Sequence, residues 1–197
     1  MSIVLSLLFS LSTAHALPSA NATWTTLDSK PAKVECTTSE ATTWCKSGGL
    51  LRVDSAIVAK SLESFHTQVE VFEAVLEMTE LEKGLLHVVL DYPYPFDDRD
   101  YVARFTPSKE GTTILYRWAP ETHAAAPTTD NRVRLTEMEG EWRVEPRGEE
   151  TFVQYTWHGS VGGNFPDWAL PKARAVTGGT VLTDLSKALN VDLRPAE

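Results

Sequence analysis

Positive charge is scarce in this sequence: 18 Lys and Arg residues stand against 27 Asp and Glu residues, giving a formal net charge of −9 at pH 7. Binding to nucleic-acid phosphates or to anionic lipid by charge needs clustered Lys and Arg. The deficit therefore argues against a general nucleic-acid-binding protein and against a protein held on anionic membranes by charge. With 42% hydrophobic and 23% charged residues, the 197-residue chain has the composition of a soluble, single-domain globular protein.

Long apolar runs are also lacking. The run from Ile3 to Leu11 is interrupted by serines and is shorter than the roughly 20 residues that a membrane-spanning helix needs. Ala14-His15-Ala16 then has the small-x-small form of a signal-peptide cleavage site. The sequence predicts a signal peptide over residues 1–16, an exported protein (periplasmic or secreted), and one domain over residues 17–197. The alternative is a buried hydrophobic N-terminal segment, since no Lys or Arg precedes the run.

Cysteine is limited to two residues, Cys36 and Cys45, nine positions apart. This spacing does not resemble a C-x-x-C metal or redox pair. In an oxidising compartment the economical interpretation is a disulfide across a local loop, with short strands over residues 33–51. The alternative is two buried free thiols.

Catalytic and cofactor-binding motifs are missing as well. The sequence has no H-E-x-x-H pair, no G-x-S-x-G elbow and neither of the Gly-rich phosphate-binding loops. Ser160 lies two residues from His158, but no orienting acid is evident beside them. The acidic run at residues 97–100 lacks the Gly and Glu that a helix–loop–helix calcium site needs at its sixth and twelfth positions. We therefore expect no metal, no cofactor and no enzymatic activity.

The hydrophobic pattern that is present predicts an α+β domain. Apolar residues at positions 58, 62, 65, 69 and 72 recur at helical spacing, with Ser55 as the predicted N-cap and the helix ending before Phe72. A long C-terminal helix is expected from Asp167, with a break or kink at Pro171 and Gly178-Gly179. Antiparallel strands are predicted between the helices, at residues 75–81, 85–91, 101–106, 112–118, 132–138 with 142–145, and 151–158.

Aromatic residues are abundant, with six Trp, five Tyr and seven Phe. On a strand that begins at Arg99, one face carries Tyr101 and Phe105, and the other carries Asp100 and Arg104. Aromatic residues that line a concave sheet can form an apolar pocket with a few polar groups. The alternative is an ordinary aromatic-rich core, which periodicity alone favours.

Several segments resemble, in order, the motifs of one family. DYPYPFDDRDYV at residues 91–102 resembles the P-x-x-x-R-D-[YF]-V signature of START (StAR-related lipid-transfer) domains. VRL at 133–135, WRVEP at 142–146 and the strand at 151–158 follow in the family's order. GGNFPDW at 162–168 resembles the G-G-x-x-P-x-W segment before the family's last helix. The resemblance extends from residue 24 to residue 189.

The resemblance implies a helix-grip fold, in which a curved antiparallel sheet wraps around the long C-terminal helix and encloses an internal hydrophobic cavity. It implies a protein that binds, and in some members transfers, one lipid or other hydrophobic small molecule without covalent catalysis. We expect a monomer with transient membrane contact. The alternatives are a cyclase- or hydrolase-type enzyme on the same scaffold, and a sealed core that binds nothing.

The resemblance also assigns residues. The motif residues Arg99, Asp100, Gly162, Gly163 and Pro166 are expected to be structural, with Asp100 holding Arg99 or nearby backbone groups. The Gly162-Gly163 and Pro166 segment is expected to hinge the last helix, and residues 120–130 to form a mobile loop. The predicted ligand-binding residues are Tyr101, Phe105, Tyr116, Trp118, Trp142, Tyr155, Trp157, Phe165 and Trp168.

Overall fold

The computed structural model describes residues 17–39, 42–64 and 68–196, and only the backbone of Gln68. The predicted signal peptide and Phe65 lie outside the described residues. The helices are α1 (Ser55–Glu63), α2 (Gln68–Val71) and α3 (Leu170–Ala188), with a short 3-10 helix at Asp167–Ala169. The strands are β1 (Thr25–Asp28), β2 (Lys33–Ser39), β3 (Thr42–Leu51), β4 (Val75–Glu82), β5 (Leu85–Leu90), β6 (Asp98–Glu110), β7 (Thr113–Pro120), β8 (Arg132–Arg134), β9 (Glu139–Arg147), β10 (Glu150–His158) and β11 (Leu193–Pro195).

The strands form one curved sheet in the order β1-β2-β3-β10-β9-β7-β6-β5-β4, with β11 added on β3 and β8 on β6. Neighbours along the main order pair antiparallel, as short connections require. α3 packs on β1, β2 and β3, while α1 packs on β9 and β10 and α2 on β4. The predicted α+β fold, a curved antiparallel sheet around a C-terminal helix, is confirmed.

The predicted disulfide joins β2 to β3. Cys36 and Cys45 are directly opposite each other in the register of these two strands, and they are bonded to each other. The alternative of two free thiols is therefore wrong. A loop of this length stabilises the fold by about 2.5–3 kcal/mol on chain-entropy grounds.

The N-cap of α1 is Asp54, so the prediction of Ser55 is wrong by one residue. The backbone of Asp54 is extended, and its carboxylate accepts a hydrogen bond from the Ala56 amide at 2.7 Å. Ser55 is the first helical residue instead. An aspartate cap also places negative charge at the positive end of the helix dipole.

One pairing departs from the expected antiparallel pattern. β8 pairs parallel to the start of β6, with Arg134 beside Asp100. The segment 132–138 therefore does not form one strand that continues into 142–145. The Leu135 amide donates to the Asp100 carbonyl at 2.8 Å, which fixes the short strand after the chain has crossed the loop at residues 121–131.

α3 is one uninterrupted helix, so the predicted break at its glycines is wrong. Pro171 lies in the first turn, where the missing amide proton costs nothing. A Cβ atom added to Gly178 would lie 2.7 Å from Cη2 of Trp157 and 3.0 Å from Val34. The glycine therefore allows the helix to approach the sheet closely. No helix within the described residues is long and apolar enough to cross a membrane.

We expect Gly178→Ala to destabilise the protein by about 1–3 kcal/mol, because the new methyl group meets the buried Trp157 and Val34 side chains. Gly179→Ala is the matched control, since its Cβ would lie at ordinary contact distance, 3.5 Å, from Pro31. There, alanine's higher helix propensity should leave stability unchanged or raise it by up to about 1 kcal/mol. Urea unfolding measures both variants. Equal effects of the two substitutions would contradict the close approach at Gly178.

Candidate functional site

Seven of the nine predicted ligand-binding residues come together on the inner face of the sheet. We call them the inner aromatic cluster. They belong to one hydrophobic core with apolar residues of α1 and α3. They are Tyr101 and Phe105 of β6, Tyr116 and Trp118 of β7, Trp142 of β9, and Tyr155 and Trp157 of β10.

Strand register brings these rings into contact. Trp142 of β9 lies opposite both Tyr116 of β7 and Tyr155 of β10. Gly140 lies between Trp118 and Trp157 in the same three strands, and a Cβ atom there would lie 2.5 Å from Cζ2 of Trp118. The absence of a side chain at Gly140 therefore makes room for the indole of Trp118.

The rings stack in a continuous row. The ring centroids are 5.6 Å apart for Phe105 and Trp118, 5.4 Å for Trp118 and Tyr155, and 4.9 Å for Tyr155 and Trp157. Trp142 adds a tilted contact to Tyr155 at 4.7 Å. Offset contacts in this range contribute beyond simple burial of area. The row forms a rigid apolar surface on the inner face.

Burial within the cluster is uneven. The side chains of Tyr116, Trp118, Trp142 and Trp157 are buried, whereas Tyr101, Phe105 and Tyr155 keep some accessible surface. Burial nevertheless raises the pKa of the Tyr101 phenol, and burial with the neighbouring Tyr101 and Tyr92 raises the pKa of Tyr155. A phenol in bulk water would keep its ordinary pKa. The two phenol groups therefore lie in poorly hydrated surroundings.

Two polar atoms stand out among the apolar rings. Nε1 of Trp118 is buried without a hydrogen-bond partner among the described residues, although buried indole N–H groups are ordinarily satisfied. The Tyr116 hydroxyl, by contrast, donates to the Glu63 carboxylate at 2.8 Å. Burial and this carboxylate together raise the pKa of Tyr116. Trp118 thus offers the cluster an unused donor, while the Tyr116 donor is already used.

Phe165 and Trp168 lie apart from the cluster. The Phe165 ring contacts Phe96, with centroids 4.8 Å apart. Trp168, in the 3-10 helix before α3, is 84% exposed. Their motif segment therefore lies at an end of the sheet, beside the loop that precedes β6.

The motif residue Arg99 holds that end together. Its side chain is 1% exposed, and its guanidinium donates to the carbonyls of Val161 at 3.0 Å, Gly162 at 3.4 Å, and Asp97. It also lies 4.2 Å from the centroid of the Tyr92 ring, a cation–π distance. Arg99 thereby joins the loop before β6 to the loop before α3, and these contacts suit a structural role.

The glycines of the motif shape the second of these loops. Gly162 and Gly163 have φ values of +59° and +62°, a conformation that favours glycine. A Cβ atom on Gly162 would also lie 2.8 Å from Val133. Pro166 is the N-cap residue of the 3-10 helix, with an extended backbone. These contacts suit the structural role expected of the three residues, and the hinge motion stays a prediction.

Asp100 does not hold Arg99, which corrects that expectation. Neighbouring residues of a strand point to opposite faces, so the Asp100 carboxylate lies on the outer face. There it accepts from Arg134 at 2.9 and 2.6 Å and contacts Nε2 of His87 at 2.7 Å. Arg134 also donates to the Ala126 carbonyl at 3.1 Å. The network fixes β5, β6, β8 and the loop at residues 121–131 to one another.

The electrostatics of Asp100 follow from these contacts. Burial alone would raise the pKa of Asp100, but the hydrogen bonds and charges of Arg134 and His87 outweigh burial and hold the pKa below its usual value. The same face carries Arg104, which pairs with Glu121 at 2.7 Å and with Glu82 at 3.3 Å. Arg104 thus makes its contacts on the face opposite the aromatic cluster.

The candidate nucleophile and base make separate contacts. Oγ of Ser160 accepts from the Gly162 amide at 3.2 Å. Nδ1 of His158 lies 3.0 Å from the Thr43 carbonyl, and its ring contacts Trp44. Within residues 17–39, 42–64 and 68–196, no group of three or more His, Cys, Asp or Glu side chains could hold a metal ion.

Some residues of the site were missed from the sequence. Arg134 was part of a recognised motif, but its partner Asp100 is 34 positions away, and His87 has no local signal. Glu63 is the last residue of α1, one position beyond the apolar stripe, and nothing in its neighbourhood points to Tyr116. Only the tertiary structure brings these pairs together.

No protein-family model matches the sequence. An uncharacterized protein of Pseudomonas aeruginosa is 33% identical over 82 residues, which is 40% of this chain and 40% of that protein. The match thus covers less than half the length of that relative.

Solved structures are similar over most of the chain. A STAR-related lipid transfer protein from Xanthomonas axonopodis superposes with a TM-score of 0.73 at 23% identity, covering 85% of this chain and 98% of that one. Human StAR-related lipid transfer protein 5 superposes with a TM-score of 0.75 at 15% identity, with 88% of each chain covered. Human STARD10 superposes with a TM-score of 0.73 at 15% identity, covering 84% of this chain and 72% of that one. The chain has the START fold. The fold implied by the sequence resemblance is thereby confirmed, whereas the internal cavity of that START fold and the ligand-binding residues stay predictions.

We expect Asp100→Asn to lower the free energy of unfolding by about 1.5–3 kcal/mol near pH 7, because it weakens charge-assisted hydrogen bonds in a buried network. The lowered pKa of Asp100 means that its stabilisation is present above the usual carboxyl pKa of about 3.9 and is lost as the pH falls through the folded-state value. The difference in free energy of unfolding between wild type and variant should therefore become smaller at acidic pH. Urea unfolding from pH 7 to pH 2.5 measures it, with the exposed Asp91→Asn as the control. A difference independent of pH would count against this account.

Proposed function

We propose that the protein binds one lipid or other hydrophobic small molecule between the inner aromatic cluster and α3, without covalent catalysis. The observation that carries the proposal is the environment of Tyr101 and Tyr155. Both residues keep some accessible surface, yet burial raises the pKa of both phenols. Enclosed apolar space beside the rings accounts for both facts.

Apolar residues of the helix and strands support the same interpretation. Val181 of α3, Leu189 directly after α3 and Ile114 of β7 pack against the core while staying only partly buried. Each methylene moved from water to such surroundings contributes about 0.8 kcal/mol, so a long acyl chain or a sterol would supply most of the affinity. Nε1 of Trp118 would orient the ligand by donating to an oxygen atom. The lipid-transfer proteins of similar structure agree with this ligand class.

Export and membrane contact belong to the same proposal. The Cys36–Cys45 disulfide suits an oxidising compartment, in line with the predicted signal peptide. Tyr94 is 97% exposed and Trp168 84% exposed, on the two loops that Arg99 and the Phe96–Phe165 contact join. Exposed Tyr and Trp side chains suit a membrane–water interface. We propose a monomer that contacts membranes transiently through this end, without nucleic-acid binding.

The enzyme alternative would need acid and base groups facing the ligand. Two His–carboxylate contacts among the described residues are His87–Asp100 and His123–Glu82. The first lies on the face of β6 opposite Tyr101, and the second involves the exposed Glu82. Neither faces the inner aromatic cluster, so the binding function has the stronger support.

Native mass spectrometry of protein purified from its own host tests the proposal directly. We expect a copurified lipid at one molecule per chain, identified after extraction. Protein that carries no ligand and takes up neither 1-oleoylglycerol nor an apolar fluorescent probe would favour the sealed core instead.

A substitution on α3 locates the ligand. We expect Val181→Trp to lower the affinity for 1-oleoylglycerol at least tenfold, because the indole would occupy space beside the cluster. Val176→Trp is the matched control on the same helix, since Val176 is 57% exposed. Isothermal titration calorimetry measures both, after thermal unfolding has shown that each variant is folded; the smaller Val181→Phe replaces Val181→Trp if the latter is not. Unchanged affinity in the Val181 variant would place the ligand elsewhere.

A further inference from the structure

A concave surface of the protein has a different chemistry from the inner aromatic cluster. It is a groove of about 610 Å³ between α3 and strands β1 to β3. Hydroxyl groups dominate its walls, including those of Thr25, Thr37, Thr38, Ser39 and Thr43, and Arg174 of α3 supplies its charge. Within the described part of the chain, no carboxylate lines it. We call it the hydroxyl groove.

Arg174 has an unusual position among the arginines of this protein. Every other arginine donates to, or pairs with, a carboxylate or a carbonyl. Arg174 is half-buried and makes no hydrogen bond or ion pair with the described residues. Burial alone lowers the pKa of its guanidinium. A guanidinium has five N–H donors, and removing its charge from water without a partner is unfavourable.

A second groove shows what a self-neutralised surface looks like in the same molecule. It measures about 990 Å³ and is lined by Arg52, Arg147 and Arg194 together with Glu149 and Glu150. There Arg52 pairs with Glu149 at 3.7 Å, and Arg194 pairs with Glu150. These arginines have their counter-charges within the protein. Arg174 has none among the residues described, despite a net charge of −9 for the whole chain.

The hydroxyl groove lies next to the inner aromatic cluster. Arg174 precedes Gly178 by four residues, about one helical turn or 6 Å along α3. Gly178 itself contacts the Trp157 ring of the cluster. A molecule with an apolar tail and an anionic end could therefore reach both surfaces.

We propose that the hydroxyl groove is an oxyanion-binding site, in which Arg174 and the surrounding Thr and Ser hydroxyls hold a phosphate or carboxylate group. Guanidinium groups match such oxyanions with two parallel hydrogen bonds, and the hydroxyls supply further donors. Anion binding in the hydroxyl groove does not depend on the proposed lipid binding. The same group could be the head of an anionic lipid or a free anion, and two experiments separate these sources.

The first experiment uses inorganic phosphate and the full folded protein. In ¹H–¹⁵N NMR titrations we expect saturable shifts of the Arg174 Nε–H and of the Thr37 and Thr38 amides. Arg174→Gln should abolish the amide shifts, and Arg174→Lys should retain part of them. Arg52→Gln, in the self-neutralised groove, should leave them unchanged.

The second experiment uses two lipids that differ only in a phosphate group, 1-oleoyl lysophosphatidate and 1-oleoylglycerol. For the wild type we expect tighter binding of the phosphate-bearing lipid. Arg174→Gln should reduce the ratio of the two affinities by about tenfold or more, which is the usual size of a lost charge-assisted hydrogen bond. Arg52→Gln should preserve the ratio.

The outcomes are distinct. A reduced lipid ratio in Arg174→Gln assigns the groove to a lipid headgroup, and Arg174-dependent phosphate shifts without that change assign it to a free anion. If 1-oleoylglycerol and lysophosphatidate both fail to bind the wild type, lipid binding is refuted while the phosphate titration still tests the groove. If Arg174→Gln changes neither the phosphate shifts nor the lipid ratio, the oxyanion site is refuted.

Discussion

The contact between Gly178 and the sheet determines how the helix and the sheet share the interior. At Gly178 the backbone of α3 lies against Trp157 and Val34, with no side chain between them. Because α3 packs on β1 to β3, the inner face of β6 and β7 lies to one side of the helix rather than beneath it. The inner aromatic cluster therefore extends from the helix contact at Trp157 to Phe105. The proposed ligand site depends on this position of the helix as well as on the sheet.

The two faces of β6 carry different kinds of side chain. On the inner face, Tyr101 and Phe105 join the apolar core. On the outer face, Asp100 and Arg104 enter ion pairs with Arg134, Glu121 and Glu82. Period-two alternation keeps these charges away from the aromatic rings. An acidic protein can in this way keep an apolar interior, because its charges are paired or hydrated on the opposite surface.

Local patterns in the sequence predict those parts of the structure that depend on residues close together in the chain. Alternation on β6 correctly separates Tyr101 and Phe105 from Asp100, and the Cys36–Cys45 spacing correctly predicts a bond across a hairpin. The same kind of reasoning wrongly predicts a break in α3 at Gly178. The cost of glycine in an isolated helix is offset there by the close approach to Trp157 of β10.

Contacts between residues far apart in the sequence were also not predicted. Asp100 was expected to hold its neighbour Arg99, yet its partners are His87 and Arg134 on other strands. The parallel pairing of β8 depends on the same contact. These features follow from which strands meet in the sheet, and no spacing within a single segment of the chain carries that information.

Arg99 and Arg174 have no carboxylate partner among the described residues, and they differ in what surrounds their guanidinium groups. Arg99 is the more deeply buried, but three carbonyls and the Tyr92 ring surround its guanidinium. Its donors are used within the protein, so it stabilises the two loops and has little left for a ligand. Arg174 lines an open groove of hydroxyl groups, with no carbonyl, carboxylate or ring contact among the described residues. Depth of burial therefore does not distinguish the structural Arg99 from the proposed binding residue Arg174. The distinction lies in whether the fold itself supplies the acceptors, and at Arg174 an external oxyanion would have to supply them.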